Sequence, residues 1–408
     1  QTEKIQKFIR IINRELDRRK KLLSEHGVGT IALYREVTGK QEPTMVILMD
    51  SYESMKDEPY ETDLFKLFMR ISREGLSIGV HLIITASRQN NLRAQLYSNF
   101  KHQLTLPQND ISEVRGIVGA TPLASTMEDI KGRALMKRDE VDVVQFALPV
   151  AGDNDIQIIN NLRDQVQSLK EMWTGRTPAG IPMVPDELTE AAFYGREDVA
   201  ALLDEGKVPL GLDLETVEPV TWDLKKGNLL YLTDKEEQMT QFVKQIVHSK
   251  QKVIVLAPSY NELPEMEGVT ILSTKEDYVA GIKKMEENIQ LRLEQQKSQH
   301  EATIVLYNQL ELMNDLSMDL QSSLNYVLEK GARAGYATVA MSGSQLNRKI
   351  DEVSKSIKLY KQAIVAMRIT DQSVLNVINR PVREEPLDSQ VNYYVEDGFV
   401  RKVKVLMK

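Results

Sequence analysis

Met45-Val46-Ile47-Leu48-Met49-Asp50 and Gly79-Val80-His81-Leu82-Ile83-Ile84-Thr85-Ala86-Ser87-Arg88 are the stretches on which the reading of this chain turns. Both are nearly continuous apolar runs, a pattern that suits the middle of a parallel sheet covered by helices on both sides. In such sheets ligands bind beyond the carboxyl ends of the strands. Asp50 and Arg88 therefore stand at the functional edge. An aspartate closing a buried strand can hold the magnesium of a bound nucleotide. It can equally cap the helix that follows, and the local pattern leaves both readings open.

The arrangement recurs. Thr303-Ile304-Val305-Leu306-Tyr307-Asn308-Gln309-Leu310-Glu311-Leu312-Met313 parallels Met45 to Met55, and Gly331 and Gly335 before Tyr336-Ala337-Thr338-Val339-Ala340-Met341 parallel Gly75 and Gly79. A repeat of this length is a domain-sized unit. Aligned this way, Asn308 takes the place of Asp50, so the second copy keeps the strand and loses the magnesium-oriented carboxylate.

A chain of 408 residues with 42% hydrophobic content can form two domains with full cores. Its formal net charge of −7 weighs against a broad nucleic-acid surface, which is built mainly from Lys and Arg. Cysteine is absent, which excludes disulfides and thiolate chemistry and fits a reducing compartment. His26, His81, His102, His248 and His300 show no metal-ligand spacing, so no structural zinc is expected. No apolar run reaches the length of a membrane span, and no leader pattern opens the chain. Because Gln1 already lies in a helical pattern, the sequence reads as a piece of a longer protein, with an anchor or a catalytic loop upstream.

Ile5, Phe8, Ile9, Ile12 and Leu16 recur at helical spacing, and Arg18-Arg19-Lys20-Lys21 reads as the solvated end of that helix. Leu64, Phe65, Phe68 and Ile71 mark a second helix that ends at Gly75. A strand at 102–106, a helix capped by Asp110 and a hairpin around Lys137-Arg138-Asp139-Glu140 complete the first domain, residues 1–150. Residues 151–205 connect the domains. They comprise a helix with Ile156, Ile159, Leu162, Val166 and Leu169 on one side, then a linker at 175–185 with three prolines and two glycines. Residues 206–408 form the second domain, with a hairpin up to Trp222 and sheet strands at 228–232, 252–257, 269–273, 303–307, 336–341 and 363–367. A charged helix at 277–299 presents Val279, Ile282, Met285, Ile289 and Leu293 to the core. A terminal hairpin turns at Asp397-Gly398.

With these pieces assembled, the chain resembles the type VII secretion ATPases, the EssC/EccC branch of the FtsK/SpoIIIE family. The resemblance rests on Gly79 to Arg88 followed by Leu92-Arg93, on Arg18-Arg19 with Leu22, and on Gly132-Arg133. Val208-Pro209-Leu210-Gly211-Leu212 and Val220-Thr221-Trp222-Asp223-Leu224 extend it into the second domain. It implies an α/β fold of two tandem P-loop NTPase (RecA/FtsK-like) domains, each a mainly parallel sheet flanked by helices with a terminal β-hairpin. The first would be truncated at its N-terminus, its phosphate loop lying upstream.

The departures from the family pattern are informative. Hydrolysing members carry an acidic residue after the strand aspartate; here Ser51 stands there, which implies weak or absent hydrolysis and no catalytic residue in this chain. Asp50 and Arg88 are the candidates for the nucleotide and magnesium edge, although Arg88 can also be a surface residue in a salt bridge. In the second domain the phosphate loop should fall at Thr233-Asp234-Lys235-Glu236-Glu237-Gln238-Met239-Thr240. A phosphate loop needs small residues whose backbone N–H groups converge, a lysine and a hydroxyl. This segment has no glycine, puts Met239 at the lysine position, and brings Asp234, Glu236 and Glu237 towards any polyphosphate. Like charges about 4 Å apart repel by roughly 1–4 kcal/mol even with screening. With Asn308 and Gln309 in place of the acidic pair, the second domain reads as a degenerate ATPase-like domain without nucleotide, leaving ATP and magnesium to the first domain alone.

What the resemblance implies about function follows. The expected role is a motor and coupling module at the cytoplasmic face of the cell membrane that recognises small helical-hairpin (WXG100-like) export substrates. Its other partners would be further subunits of the motor and, through upstream segments, the membrane. The full protein would be a hexamer, and this piece mostly a monomer. No nucleic acid is expected, although a DNA-translocating motor is the alternative and a scaffold without ligands a third reading.

Overall fold

The computed structural model describes residues 2–175, 177–224, 227–249, 251–259, 263–378, 380 and 384–406. The chain divides into two compact units, Gln1–Ile181 and Pro182–Lys408. The division falls inside the Pro/Gly-rich 175–185 segment, of which Arg176 lies outside the described residues.

The first unit runs α1 (Thr2–Glu25), α2 (Ile31–Thr38), β1 (Met45–Met49), α3 (Glu61–Glu74), β2 (Val80–Ile84), α4 (Ala94–Tyr97) and β3 (Gln103–Thr105). It continues with α5 (Ile111–Val118), α6 (Pro122–Ser125), β4 (Arg133–Lys137), β5 (Val141–Gln145) and α7 (Asp155–Met172). β1 and β2 pair in parallel, Met45 opposite Val80. β3 does not extend that sheet; with β4 and β5 it forms a separate antiparallel one. Ile12, Leu16, Ile47, Phe68, Ile71 and Val80 share the core between α1, α3 and the strands.

One expectation for this unit is corrected. Arg18 to Lys21 is not simply a solvated helix end, because Arg19 is 1% exposed. Its Nη1 donates to the Ile78 carbonyl at 3.0 Å, its Nη2 to Pro43 at 2.8 Å and its Nε to Glu15 Oε1 at 2.7 Å. A guanidinium carries five donors in a planar fork, so one side chain can tie a helix to the entrances of two strands. The apolar stripe of α7 is open to solvent within its own unit. Among its described residues none is buried, and Ile156, Ile159, Val166 and Leu169 are exposed.

The second unit opens with α8 (Glu190–Tyr194), α9 (Glu197–Asp204), β6 (Val208–Asp213), β7 (Pro219–Trp222), β8 (Leu229–Leu232) and α10 (Glu236–His248). Next come β9 (Val253–Leu256), β10 (Val269–Leu272), α11 (Lys275–Glu294), β11 (Ala302–Leu306), α12 (Gln309–Asp315), α13 (Met318–Lys330) and β12 (Tyr336–Ser342). α14 (Glu352–Lys358), β13 (Gln362–Val365), β14 (Val391–Glu396) and β15 (Phe399–Lys404) complete it. The strands form one ten-stranded sheet in the order β10-β9-β11-β12-β8-β13-β14-β15-β6-β7. The first six are parallel, and both hairpins join them through antiparallel pairings. Helices cover the two faces with separate cores, one led by Ile282, Ile304 and Leu324, the other by Phe242, Val255 and Val339. α11 buries Tyr278, Ile282, Met285 and Ile289; Val279 is 43% exposed, so the core face sits one residue earlier than its expected start.

The internal repeat extends beyond what the sequence displays. On α11, Arg292 Nε donates to the Ala334 carbonyl at 2.6 Å and Nη2 to Gln299 at 2.5 Å. Ala334 precedes Gly335 as Ile78 precedes Gly79, and both glycines are left-handed, at φ +87° and +72°. Each unit therefore uses one helix arginine to bind the carbonyl before the left-handed glycine and a carbonyl before the first repeated strand. A Cβ on Gly335 would lie 2.0 Å from the Gln299 carbonyl oxygen, whereas one on Gly268, at φ +80°, meets nothing within 4 Å. Gly335→Ala should therefore destabilise the second unit by about 2–3 kcal/mol and Gly268→Ala by about 1 kcal/mol. Thermal unfolding by circular dichroism should show the larger drop for Gly335→Ala; equal drops would mean that the close approach to Gln299 carries no cost.

Candidate functional site

The carboxyl ends of β8 and β11 and the start of α10 meet where a nucleotide would sit in a fold of this kind. Thr233 follows β8 and is fully buried; its N–H donates to the Ser342 carbonyl at 2.9 Å, and its hydroxyl accepts from the Lys235 N–H at 3.1 Å and donates to Gln238 Oε1. Asp234 turns to the neighbouring loop, accepting the Ser344 N–H at 2.7 Å. α10 then begins at Glu236, one turn before Met239. A loop wound into helix this early cannot wrap its N–H groups around phosphates. Glu236 and Glu237 occupy the first helical turn, where an anion would be held by the helix dipole, and Met239 is 4% exposed in the apolar core rather than reaching outward.

The remaining side chain of that segment meets the strand directly. Thr240 Oγ1 and the Tyr307 hydroxyl lie 2.8 Å apart, and the same hydroxyl donates to the Glu236 carbonyl at 3.3 Å. Tyr307 is 1% exposed and immediately follows β11. The register of the repeat shows what it replaces. Met45 pairs with Val80 and Ala302 with Tyr336, so Met49 matches Leu306, Asp50 matches Tyr307 and Ser51 matches Asn308. Ser51 and Asn308 are both left-handed, at φ 55° and 45°.

The sequence alignment, which set Asn308 against Asp50, is thus corrected by one residue. A slip of one along a strand reverses which face each side chain occupies, and an all-apolar strand offers no alternation to prevent it. Gln309 is moved off the edge altogether: it is fully buried, accepting from Ser342 Oγ at 3.1 Å and donating to Ser354 Oγ at 3.2 Å.

In a working site of this fold the loop hydroxyl and the strand carboxylate share a magnesium ion. Here a phenol hydroxyl touches the hydroxyl and fills the position of the carboxylate. The donor set does not fit magnesium or a triphosphate.

The first unit retains the carboxylate. Asp50 Oδ1 accepts from Thr85 Oγ1 at 2.5 Å, and that hydroxyl accepts from the Ser51 N–H at 2.9 Å. Glu53, which the sequence reading passed over, accepts the Ser87 N–H at 3.1 Å. Ser87 hydrogen bonding holds the Glu53 carboxyl below the usual carboxylate range. Arg88 does not reach Asp50; it is 63% exposed and pairs with Glu113 at 3.6 Å. Thr85 was discoverable as the polar residue that directly follows β2 beside Asp50, whereas Glu53 carries no such signal. Among the described residues there is no group of three or more His, Cys, Asp and Glu side chains that could hold a metal ion, and no helix is long and apolar enough to cross a membrane.

A parallel core with a strand-loop-helix at its centre, repeated in part in the preceding unit, defines tandem α/β domains with the P-loop type of fold, the second with no glycine between β8 and α10. No family model matches the chain. The type VII secretion system protein EssC of Staphylococcus aureus (strain MRSA252) is 26% identical over 416 residues, covering 100% of this chain and 28% of EssC. The solved structure of EssC (ATPases 2 and 3) from Geobacillus thermodenitrificans superposes with a TM-score of 0.86 at 24% identity, over 99% of this chain and 79% of that one. Thermomonospora curvata EccC (ATPases 2 and 3), solved in complex with a signal sequence peptide, has a TM-score of 0.50 at 16% identity, over 99% and 77%. Along its whole length the chain is similar to the type VII secretion protein EssC, the likeness its motifs indicated, and it spans 28% of the length of the EssC protein it matches.

Two outcomes follow from the geometry. Tyr307→Phe removes the contact with Thr240 and should cost about 1 kcal/mol, read as a melting shift of roughly 2–4 °C; an unchanged melting temperature would mean the hydrogen bond contributes nothing. For Glu53, a pKa depressed by folding gives stability that is full above the ordinary carboxylate range and is lost as pH falls through the depressed value. The stability difference between the wild type and Glu53→Gln should therefore shrink between about pH 6 and pH 3. A difference that grows in acid would reverse the assignment.

Proposed function

We propose that this chain is a coupling module of a type VII secretion motor, in which the second unit has exchanged nucleotide binding for the reading of export cargo. The observation that carries the reading is Tyr307 against Thr240, a side-chain contact in the place of magnesium. A unit that keeps the full ten-stranded sheet while closing its nucleotide site retains the fold for another purpose. The EccC relative solved with a signal sequence peptide supports cargo as that purpose. ATP and magnesium belong to the first unit, around Asp50. The cargo is a small helical-hairpin protein of the WXG100 type, presenting an apolar helical signal. The full protein works as a hexameric ring on the cytoplasmic face of the membrane.

The test is a fluorescence-anisotropy titration of the 408-residue chain with the carboxy-terminal signal peptide of a type VII export substrate, alongside a 30-base-pair DNA duplex as a control. The peptide should saturate at micromolar concentration, with DNA binding absent at about 0.15 M salt. Salt-sensitive binding of the duplex without binding of the peptide would overturn the reading in favour of a DNA motor.

A further inference from the structure

α7 is amphipathic in the reverse of the usual sense. Asn161 Nδ2 donates to the Ala151 carbonyl at 2.7 Å, and Asn161, Asp164, Gln165 and Ser168 form a shallow groove with residues 149–151. The polar side of the helix is thus turned to its own unit. Ile156, Ile159, Leu162, Val166, Leu169 and Met172 face solvent instead, with exposures between 39% and 74%. Helices in proteins draw most of their stability from burying an apolar face, and an 18-residue helix rich in Ile, Asn and Gln is marginal alone in water. The stripe calls for a partner.

Its spacing identifies one. Ile159, Leu162, Val166 and Leu169 fall alternately three and four residues apart, as the a and d positions of a heptad, with β-branched residues at a and leucine at d. That choice favours two identical helices side by side and parallel. Arg163 and Lys170 take the e positions, and Gln165 takes the g position between them. In a parallel pair g meets e of the other helix, so the Gln165 amide oxygen faces a Lys170 ammonium and no like charges meet. An antiparallel pair would set e against e, cation on cation. The six apolar residues expose on the order of 600 Å² per chain, and burying most of this in two copies reaches the roughly 1,000 Å² that a specific interface requires.

We infer that α7 is a self-association helix: two copies of this chain pair through Ile159, Leu162, Val166 and Leu169 in a parallel two-stranded coiled coil. α7 runs directly into the 175–185 segment, so the pairing joins two chains where each passes from its first unit to its second. The chain on its own is then a reversible dimer rather than the monomer implied by the resemblance. The cargo reading neither supports this pairing nor depends on it.

The seam is little more than two heptads long, so the pairing is weak and concentration-dependent. Sedimentation equilibrium of the 408-residue chain, from low micromolar to submillimolar concentration, should show the mass doubling reversibly. Val166→Lys combined with Leu169→Lys puts like charges into the seam and should weaken the pairing at least ten-fold. Gln167→Lys adds a charge outside the seam and should leave it unchanged. All three positions are exposed, so the melting temperature of each variant at low concentration should match that of the wild type. The chain has no cysteine, so Leu169→Cys supplies its only thiol. Parallel pairing sets the two copies of residue 169 side by side, and oxidation should link them; in an antiparallel pair residue 169 would lie against residue 159.

A chain that stays monomeric throughout would overturn the inference. So would a dimer that the two lysines leave equally tight, because its contact would lie elsewhere. A dimer that the lysines weaken but that oxidation of Leu169→Cys does not link would overturn the parallel pairing.

Discussion

The contact between the Tyr307 hydroxyl and Thr240 is the constraint on which the second unit's character depends. It joins the end of β11 to the second turn of α10 across the space where fold geometry puts a metal ion and phosphates. Around it the other departures fit together. α10 starts early, Met239 turns into the core, and Thr233 and Asp234 spend their polar atoms on neighbouring loops.

Beneath this loss of chemistry the scaffold is conserved in a physical sense between the two units. A left-handed glycine after the helix, an arginine reaching the carbonyl before it, and a left-handed residue two positions beyond the first repeated strand all recur. These are backbone requirements. They fix how the helix preceding the strand enters the sheet, and they are indifferent to whether the edge carries Asp50 or Tyr307. That separation lets the fold persist whichever side chain stands at the edge.

Much of this was legible in the sequence. The sheet strands of the second unit and both hairpins follow from apolar runs bounded by turn residues, and the absence of glycine from residues 233–240, with Met239 at the lysine position, is plain in the sequence. Three things were not legible. The register of β11 was ambiguous because Ile304, Val305 and Leu306 are all apolar, so nothing in the pattern tells inward from outward. The role of Arg19 was hidden because a buried guanidinium looks, in sequence, like its solvated neighbours Arg18 and Lys20. The α7 stripe of Ile159, Leu162, Val166 and Leu169 has helical periodicity without burial, and periodicity reports amphipathicity rather than the presence of a partner.

The central claim is that the second unit holds no nucleotide. Calorimetric titration of the 408-residue chain carrying Asp50→Asn with Mg-ATP tests it most directly, since that substitution removes the first unit's edge carboxylate. The account predicts no saturable heat at micromolar protein concentration. Micromolar binding that disappears on Thr240→Val would contradict it, and would place a working nucleotide site beneath Tyr307.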